Sequence, residues 1–159
     1  MRPDLDLALS PSEPEIGMLT DRLRELFACH ALPDGYWERF ALSFDEVVSN
    51  IAAYGAPHGP IRVRVRVASD EVRASVIDDG IAFNPLLRPD PDTTGDIDAR
   101  PIGGLGIFLL KKMMDRVTYR RYRHCNCLSF AKRIGPSPAP RAGDAPTLSP
   151  TSGNDCGNQ

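Results

Sequence analysis

Residues 44–55 read FDEVVSNIAAYG, and with Phe40 just upstream they form the most strongly patterned helix of the chain. Phe40, Phe44, Val47, Val48 and Ile51 recur at helical spacing and make one face that can pack on a core. At about 100° per residue, Glu46 and Asn50 stand one turn apart and only ~40° apart on the wheel, roughly 120° from the centre of the apolar stripe. Both border the core without entering it. Asp45, about 100° round from Glu46, is expected to face solvent. Taken alone, the Glu46–Asn50 pair reads as an ordinary solvated face, so the rest of the chain has to decide.

On the N-terminal side, Leu5, Leu7 and Leu9 alternate with polar residues as a short strand does. Ser10-Pro11-Ser12-Glu13 has the pattern of a capping box with proline at the first helical position, which predicts a helix from about residue 11. Ile16, Leu19, Leu23, Leu26 and Phe27 supply its apolar stripe, and Pro33-Asp34-Gly35 separates it from the helix of the opening stretch. On the C-terminal side the period changes to two. Ile61, Val63, Val65 and Val67 alternate with Arg62, Arg64 and Arg66, and after Ser69-Asp70-Glu71 the alternation resumes with Val72, Ala74 and Val76. This is a hairpin with one apolar and one wet face. After a Pro- and Asp-rich loop, Ile107, Leu110, Met113, Met114 and Val117 fit a third helix starting at Gly103-Gly104-Leu105-Gly106. Two strand-like runs, VTYRRY and CLSFAKRI, close the pattern, joined by Arg123-His124-Cys125-Asn126. The order predicts an α+β fold, a two-layer sandwich with helices on one face of a mixed, mostly antiparallel sheet.

A chain of 159 residues suits one domain and can bury a core without disulfides or structural metal. A composition of 42% hydrophobic and 25% charged residues is that of a soluble globular protein, and a net charge of −2 argues neither for a nucleic-acid binder nor for an acidic tail protein. No apolar run reaches the ~20 residues of a membrane span, and the N-terminus MRPDLDLALSPSEPE lacks the basic start and apolar block of a signal peptide. A cytoplasmic location without membrane contact is expected. Cys29, Cys125, Cys127 and Cys156 contain no CxxC pair, so free thiols are expected and no zinc spacing emerges around His124. From Gly135 the sequence is rich in Pro, Gly, Ser and Ala. The expected organisation is a folded unit over residues 1–134 and a disordered tail over 135–159.

Two loops carry chemistry. Gly103-Gly104-Leu105-Gly106 opens a helix, where free N–H groups and the absence of side chains suit a phosphate; the bland alternative is a tight turn. No GxxxxGK[ST] is present, which excludes a P-loop, and the spacing is not that of a dinucleotide fingerprint. Asp78-Asp79-Gly80 ends the second hairpin strand, where a carboxylate facing a pocket can accept an exocyclic amino group; here too an ordinary Asp-Gly turn is the alternative. The loop at residues 86–102 is long for so small a domain and reads as a functional lid.

In their fixed order, helical ExxxN, a strand ending DxGx[GA]F, a Pro-rich loop and a GGLG helix start, these signals resemble the GHKL ATP-binding fold. The similarity is greatest to its anti-sigma-factor serine kinases of the RsbW and SpoIIAB type. The matching residues are Glu46 and Asn50, then Asp78, Gly80, Ala82 and Phe83, then Gly103, Gly104, Leu105 and Gly106, spanning about residues 10 to 133. The resemblance implies ATP and Mg²⁺ as cofactors. It implies Asn50 as the Mg²⁺ ligand, Glu46 as general base on a substrate serine, and Asp78 as acceptor for the adenine amino group. Gly80 would give the base room, and the second glycine cluster would meet the phosphates beneath a lid carrying Arg100. It further implies an anti-anti-sigma (STAS-type) protein as substrate, a sigma factor or equivalent regulator as partner, and a homodimer using the first strand and helix. The chain departs from the pattern at Ala82, where a glycine is usual, and at Tyr54-Gly55, where many relatives have a histidine.

Four rival readings stand against this one. A sensor histidine kinase needs a phosphoacceptor hairpin for which there is no room before residue 40, and gyrase-like machines need transducer domains. A non-catalytic ATP-binding module that sequesters a sigma factor or other regulator is the serious alternative. The arginines of the hairpin, Arg62, Arg64, Arg66 and Arg73, line its wet face by alternation; with little aromatic interleaving they favour a solvated or protein-docking face over nucleic acid.

Overall fold

The computed structural model describes residues 3–87, 89 and 105–135. Their element order is β1 (Leu5–Leu9), α1 (Ile16–Cys29), α2 (Tyr36–Asn50), β2 (Ile61–Val67), β3 (Glu71–Asp78), α3 (Leu105–Met113), β4 (Arg116–Tyr122) and β5 (Cys125–Arg133). The strands form one sheet in the order β1-β2-β3-β5-β4. Every ladder among the described residues is antiparallel. β5 returns between β3 and β4, which brings the far end of the chain against the hairpin.

The three helices cover one face of the sheet. The period-two reading of the hairpin holds: Val63, Val65, Val72, Ala74 and Val76 are buried, whereas Arg62 and Arg73 are exposed on the other side. Leu19, Leu23 and Phe27 form the buried line of α1, and Phe40, Phe44, Val47 and Val48 that of α2. Phe130 of β5 meets Phe44 at 5.1 Å and Phe40 at 5.8 Å between ring centroids, and Phe27 meets Phe40 edge-on at 5.4 Å. Burying each of these rings contributes roughly 2–3 kcal/mol, and together they fix how α2 sits over β5. The rotation of α2 about its axis is thereby set, and with it the direction in which Glu46 and Asn50 point.

Three boundaries differ from the expectation. Helix α1 starts at Ile16, not near residue 11, and its cap residue Glu15 makes no side-chain cap bond. The cause is Pro14. A helix from residue 11 would need Pro14 to donate the first i→i−4 bond, and a proline also disfavours the α conformation at Glu13. Ser10 accordingly bonds Ser12 side chain to side chain at 3.0 Å instead of capping. Val117 lies in β4 and not on α3, whose buried residues are Ile107 and Leu110, followed by Met114 just past its end. The β4–β5 connection is shorter than expected, since Cys125 and Asn126 already pair with Tyr122 and Arg121.

Candidate active site

Past Asn50 the α2 helix widens into a π turn over Ile51–Gly55, a form concentrated at functional sites. Its end abuts the end of β3: the Ile81 N–H donates to the Gly55 carbonyl at 2.9 Å. Between these two ends and α3 lies a cavity of about 680 Å³, large enough for a nucleotide. Glu46 and Asn50 line one side of it, Asp78 and Asn126 the floor, and Tyr54, Ile81 and Phe83 the rim.

Glu46 and Asn50 are in direct contact, the Asn50 amide Nδ2 donating to Glu46 Oε1 at 2.6 Å. This fixes the side-chain amide: its N–H is committed to the carboxylate, and its Oδ1 remains available to a cation. Among the described residues no group of three or more acidic, histidine or cysteine side chains could hold a metal. A Mg²⁺ ion fits only as this ion commonly binds, with one protein oxygen and the rest of its shell from water and phosphates. Asn50 Oδ1, a hard oxygen donor on the cavity wall, suits that role. Glu46 also touches α3. A Cβ added at Gly106 would overlap the Glu46 carboxylate carbon and Oε2, so the absence of a side chain in the first turn of α3 is what lets the carboxylate lie there.

Asp78 is buried at 4% exposure and held from two sides. Its Oδ1 accepts the Gly80 N–H and the Asn126 amide, each at 2.9 Å. Both bonds fall on one oxygen, which leaves Oδ2 for a donor in the cavity. Asn126 has every position filled: its Nδ2 also donates to the Ile81 carbonyl at 2.8 Å, and its Oδ1 accepts from Tyr119 at 2.7 Å and Arg121 at 2.6 Å. Arg121 reaches on to the Gly80 carbonyl at 3.2 Å. These bonds leave Asn126 a single amide orientation and aim Asp78 in turn.

Asp79 faces away from this network. It accepts the backbone N–H groups of His58 at 2.8 Å and Gly59 at 3.0 Å, pinning the segment between the π turn and β2. The Gly59 N–H is the main cause holding its carboxyl below the ordinary range; partial burial opposes it and the His58 N–H adds to it. Of two adjacent acids, one is aimed into the cavity and the other braces its wall.

Of the residues expected from sequence, Glu46, Asn50, Asp78 and Phe83 line one cavity, and Gly80 and Gly106 pack against its acids. Gly80 is required by close approach: a Cβ there would overlap the Gly55 carbonyl oxygen. Asp45 is exposed, as expected. Ala82 is exposed and stands off the cavity lining. Leu105 begins α3, while Arg100, Gly103, Gly104, most of the 86–102 loop and the tail beyond Gly135 lie outside the described residues. Asn126 and Tyr119 went unread. A polar residue on the same side of β5 as Leu128 and Phe130 was the available signal, hidden because Asn126 read as part of a turn.

Residues 11–132 match the description of the histidine kinase-like ATPase domain. The chain belongs to that family. An ATPase domain implies ATP binding, and the fold is that of the GHKL group. The serine/threonine-protein kinase BtrW of Bordetella bronchiseptica is 27% identical over 103 residues, covering 62% of this chain and 72% of that protein. A crystal structure of the RsbU and RsbW domains of Rv1364c from Mycobacterium tuberculosis superposes with a TM-score of 0.59 at 17% identity. The match covers 84% of this chain but 32% of that longer one, and it bears on the fold alone. No helix among the described residues is long and apolar enough to cross a membrane. Cys29, Cys125 and Cys127 are free thiols.

Proposed function

We propose that the protein is an ATP-dependent serine kinase and anti-sigma factor of a partner-switching system, acting on an anti-anti-sigma (STAS-type) protein. The observation that carries this reading is the Glu46–Asn50 pair, bonded at 2.6 Å on the wall of the cavity that Asp78 floors. In this reading the adenine amino group donates to Asp78 Oδ2 in the pocket beneath Ile81 and Phe83. The phosphates run toward the first turn of α3, whose free N–H groups and small Gly106 suit an anion. Gly103, Gly104 and Arg100 are proposed to complete the phosphate contacts. Mg²⁺ held by Asn50 Oδ1 and the phosphates would neutralise charge on the transferring group.

The substrate serine Oγ attacks the γ-phosphorus in line, the bond to the β,γ-bridging oxygen breaks, and ADP leaves with that electron pair. Glu46 takes the serine proton. Its bond to Asn50 holds the carboxylate beside the ligand that positions the same γ-phosphate, which is the alignment such a transfer needs. The kinase name of the relative from B. bronchiseptica supports the reaction class. A sigma factor or equivalent regulator is the proposed partner of the unphosphorylated cycle. A homodimer through β1 and α1 agrees with β1 being an edge strand.

The test is transfer from γ-labelled ATP to serine of the cognate antagonist. The wild type is expected to label it and Glu46→Gln to fail, both still binding ATP. Bound ATP without labelling by the wild type would reject the kinase and return the protein to a nucleotide-binding sequestering module.

A further inference from the structure

The face of the sheet opposite the helices is bare, and its residues are not those of a merely solvated surface. The register aligns Ser75 of β3, Ser129 of β5 and Thr118 of β4 in one row across three strands. Arginines flank this row of hydroxyls on both sides: Arg66, Arg73 and Arg116 along one edge and Arg120 along the other. Between them lies an open groove of about 550 Å³.

The charges are not balanced locally. Two acids stand at this end: Glu71, 8% exposed, is shared between Arg73 and Arg116, and Asp4, beside Arg66, accepts the Val67 N–H at 2.7 Å, which leaves the arginines of this face in excess. On the β1 side Asp6 bridges Arg62 at 2.8 Å and Arg64 at 3.3 Å. Among the described residues the side chains of Arg66 and Arg120 have no ion-pair or hydrogen-bond partner. Arg66 also stands directly across the ladder from Arg73, and like charges in that position destabilise a sheet. A fold that keeps such a pair on an open face gains from an anion supplied from outside.

We infer that this groove is a docking surface for an acidic, carboxylate-rich segment of a partner protein, on the opposite side of the sheet from the nucleotide cavity. Arginine forks take carboxylates in bidentate geometry, and the hydroxyl row can bond the remaining oxygens or the backbone of the segment. A second copy of the chain is disfavoured, since face-to-face packing sets arginines against arginines. Nucleic acid is a poorer fit because Asp6 closes the basic track at β1 and the chain's net charge is −2. The inference rests on this face alone and stands whether or not the protein transfers phosphate.

The test uses the full chain and a fluorescein-labelled oligoglutamate peptide, read by anisotropy at low and physiological salt. Wild type and Arg66→Lys/Arg120→Lys are expected to bind, and Arg66→Glu/Arg120→Glu to bind about tenfold more weakly or worse. Unfolding is checked separately: the melting temperature and ATP-induced shift of the charge-reversed variant are expected to match wild type. Equal binding of the peptide by the charge-reversed variant would overturn the inference. So would tighter binding of duplex DNA than of the peptide, or a concentration-dependent self-association that the charge reversal abolishes.

Discussion

Asn126→Ala tests whether the buried network aims the adenine acceptor. The substitution removes four hydrogen bonds of 2.6–2.9 Å, but they do not count equally. Arg121 is exposed, keeps its bond to the Gly80 carbonyl and turns to water at little cost. Tyr119 is half-buried, Asp78 keeps only the Gly80 N–H, and the Ile81 carbonyl loses its side-chain donor. Three groups at about 1 kcal/mol each give a loss of roughly 3 kcal/mol. In a domain of this size that lowers the melting temperature by roughly 10 °C. Asp78, released on one side, is expected to bind ATP about tenfold more weakly, a loss of about 1.4 kcal/mol. Calorimetric melting without nucleotide and titration with ATP read the two effects separately. A variant that melts within a degree or two of wild type and binds ATP equally well refutes the claim that Asn126 positions Asp78.

Gly106→Ala is expected to keep the fold, because the added methyl meets the movable Glu46 carboxylate and not backbone, while phosphate transfer falls roughly 10²-fold or more as a displaced general base predicts; single-turnover assays check it. Gly80→Ala is the opposite case: the methyl meets the Gly55 carbonyl, so about 1–3 kcal/mol of stability is lost, seen as a lower urea midpoint. Asp79→Asn is expected to melt below wild type at neutral pH. Because the folded pKa of Asp79 is depressed from 3.8, its contribution is present above that value and disappears as pH falls through the lower folded one. The gap between the two melting curves is therefore constant from pH 6 to 8 and begins to narrow as pH falls below about 4; a gap that does not narrow as the pH is lowered further contradicts the assignment.

The layers of this fold were legible because burial imposes periods. The alternation of Ile61 to Val67 and the stripe of Phe40, Phe44, Val47 and Val48 each have one solution. Glu46 and Asn50 were legible for the same reason, since helical geometry alone places them on one flank. The boundary at residue 11 misled because a capping pattern is local and weak, and Pro14 three positions on overrides it. Asn126 was illegible for a different reason. Its partners Asp78, Ile81 and Tyr119 are brought to it by the β3–β5–β4 ladders, across 48, 45 and 7 residues of sequence. Sequence periodicity identifies which side of a strand is wet and carries no information on which distant strand lies beside it. The π turn after Asn50 was likewise unmarked, since nothing in IAAYG distinguishes it from the end of an α-helix.

Thermal unfolding with saturating Mg-ATP, on wild type, Asp78→Asn and Glu46→Gln, addresses the nucleotide cavity most directly. At about a hundred times its Kd, ATP stabilises the native state by ~2.7 kcal/mol. The account predicts that shift in wild type and in Glu46→Gln, and its loss in Asp78→Asn. A wild type that ATP leaves unshifted, or an Asp78→Asn variant that shifts as fully, would contradict it.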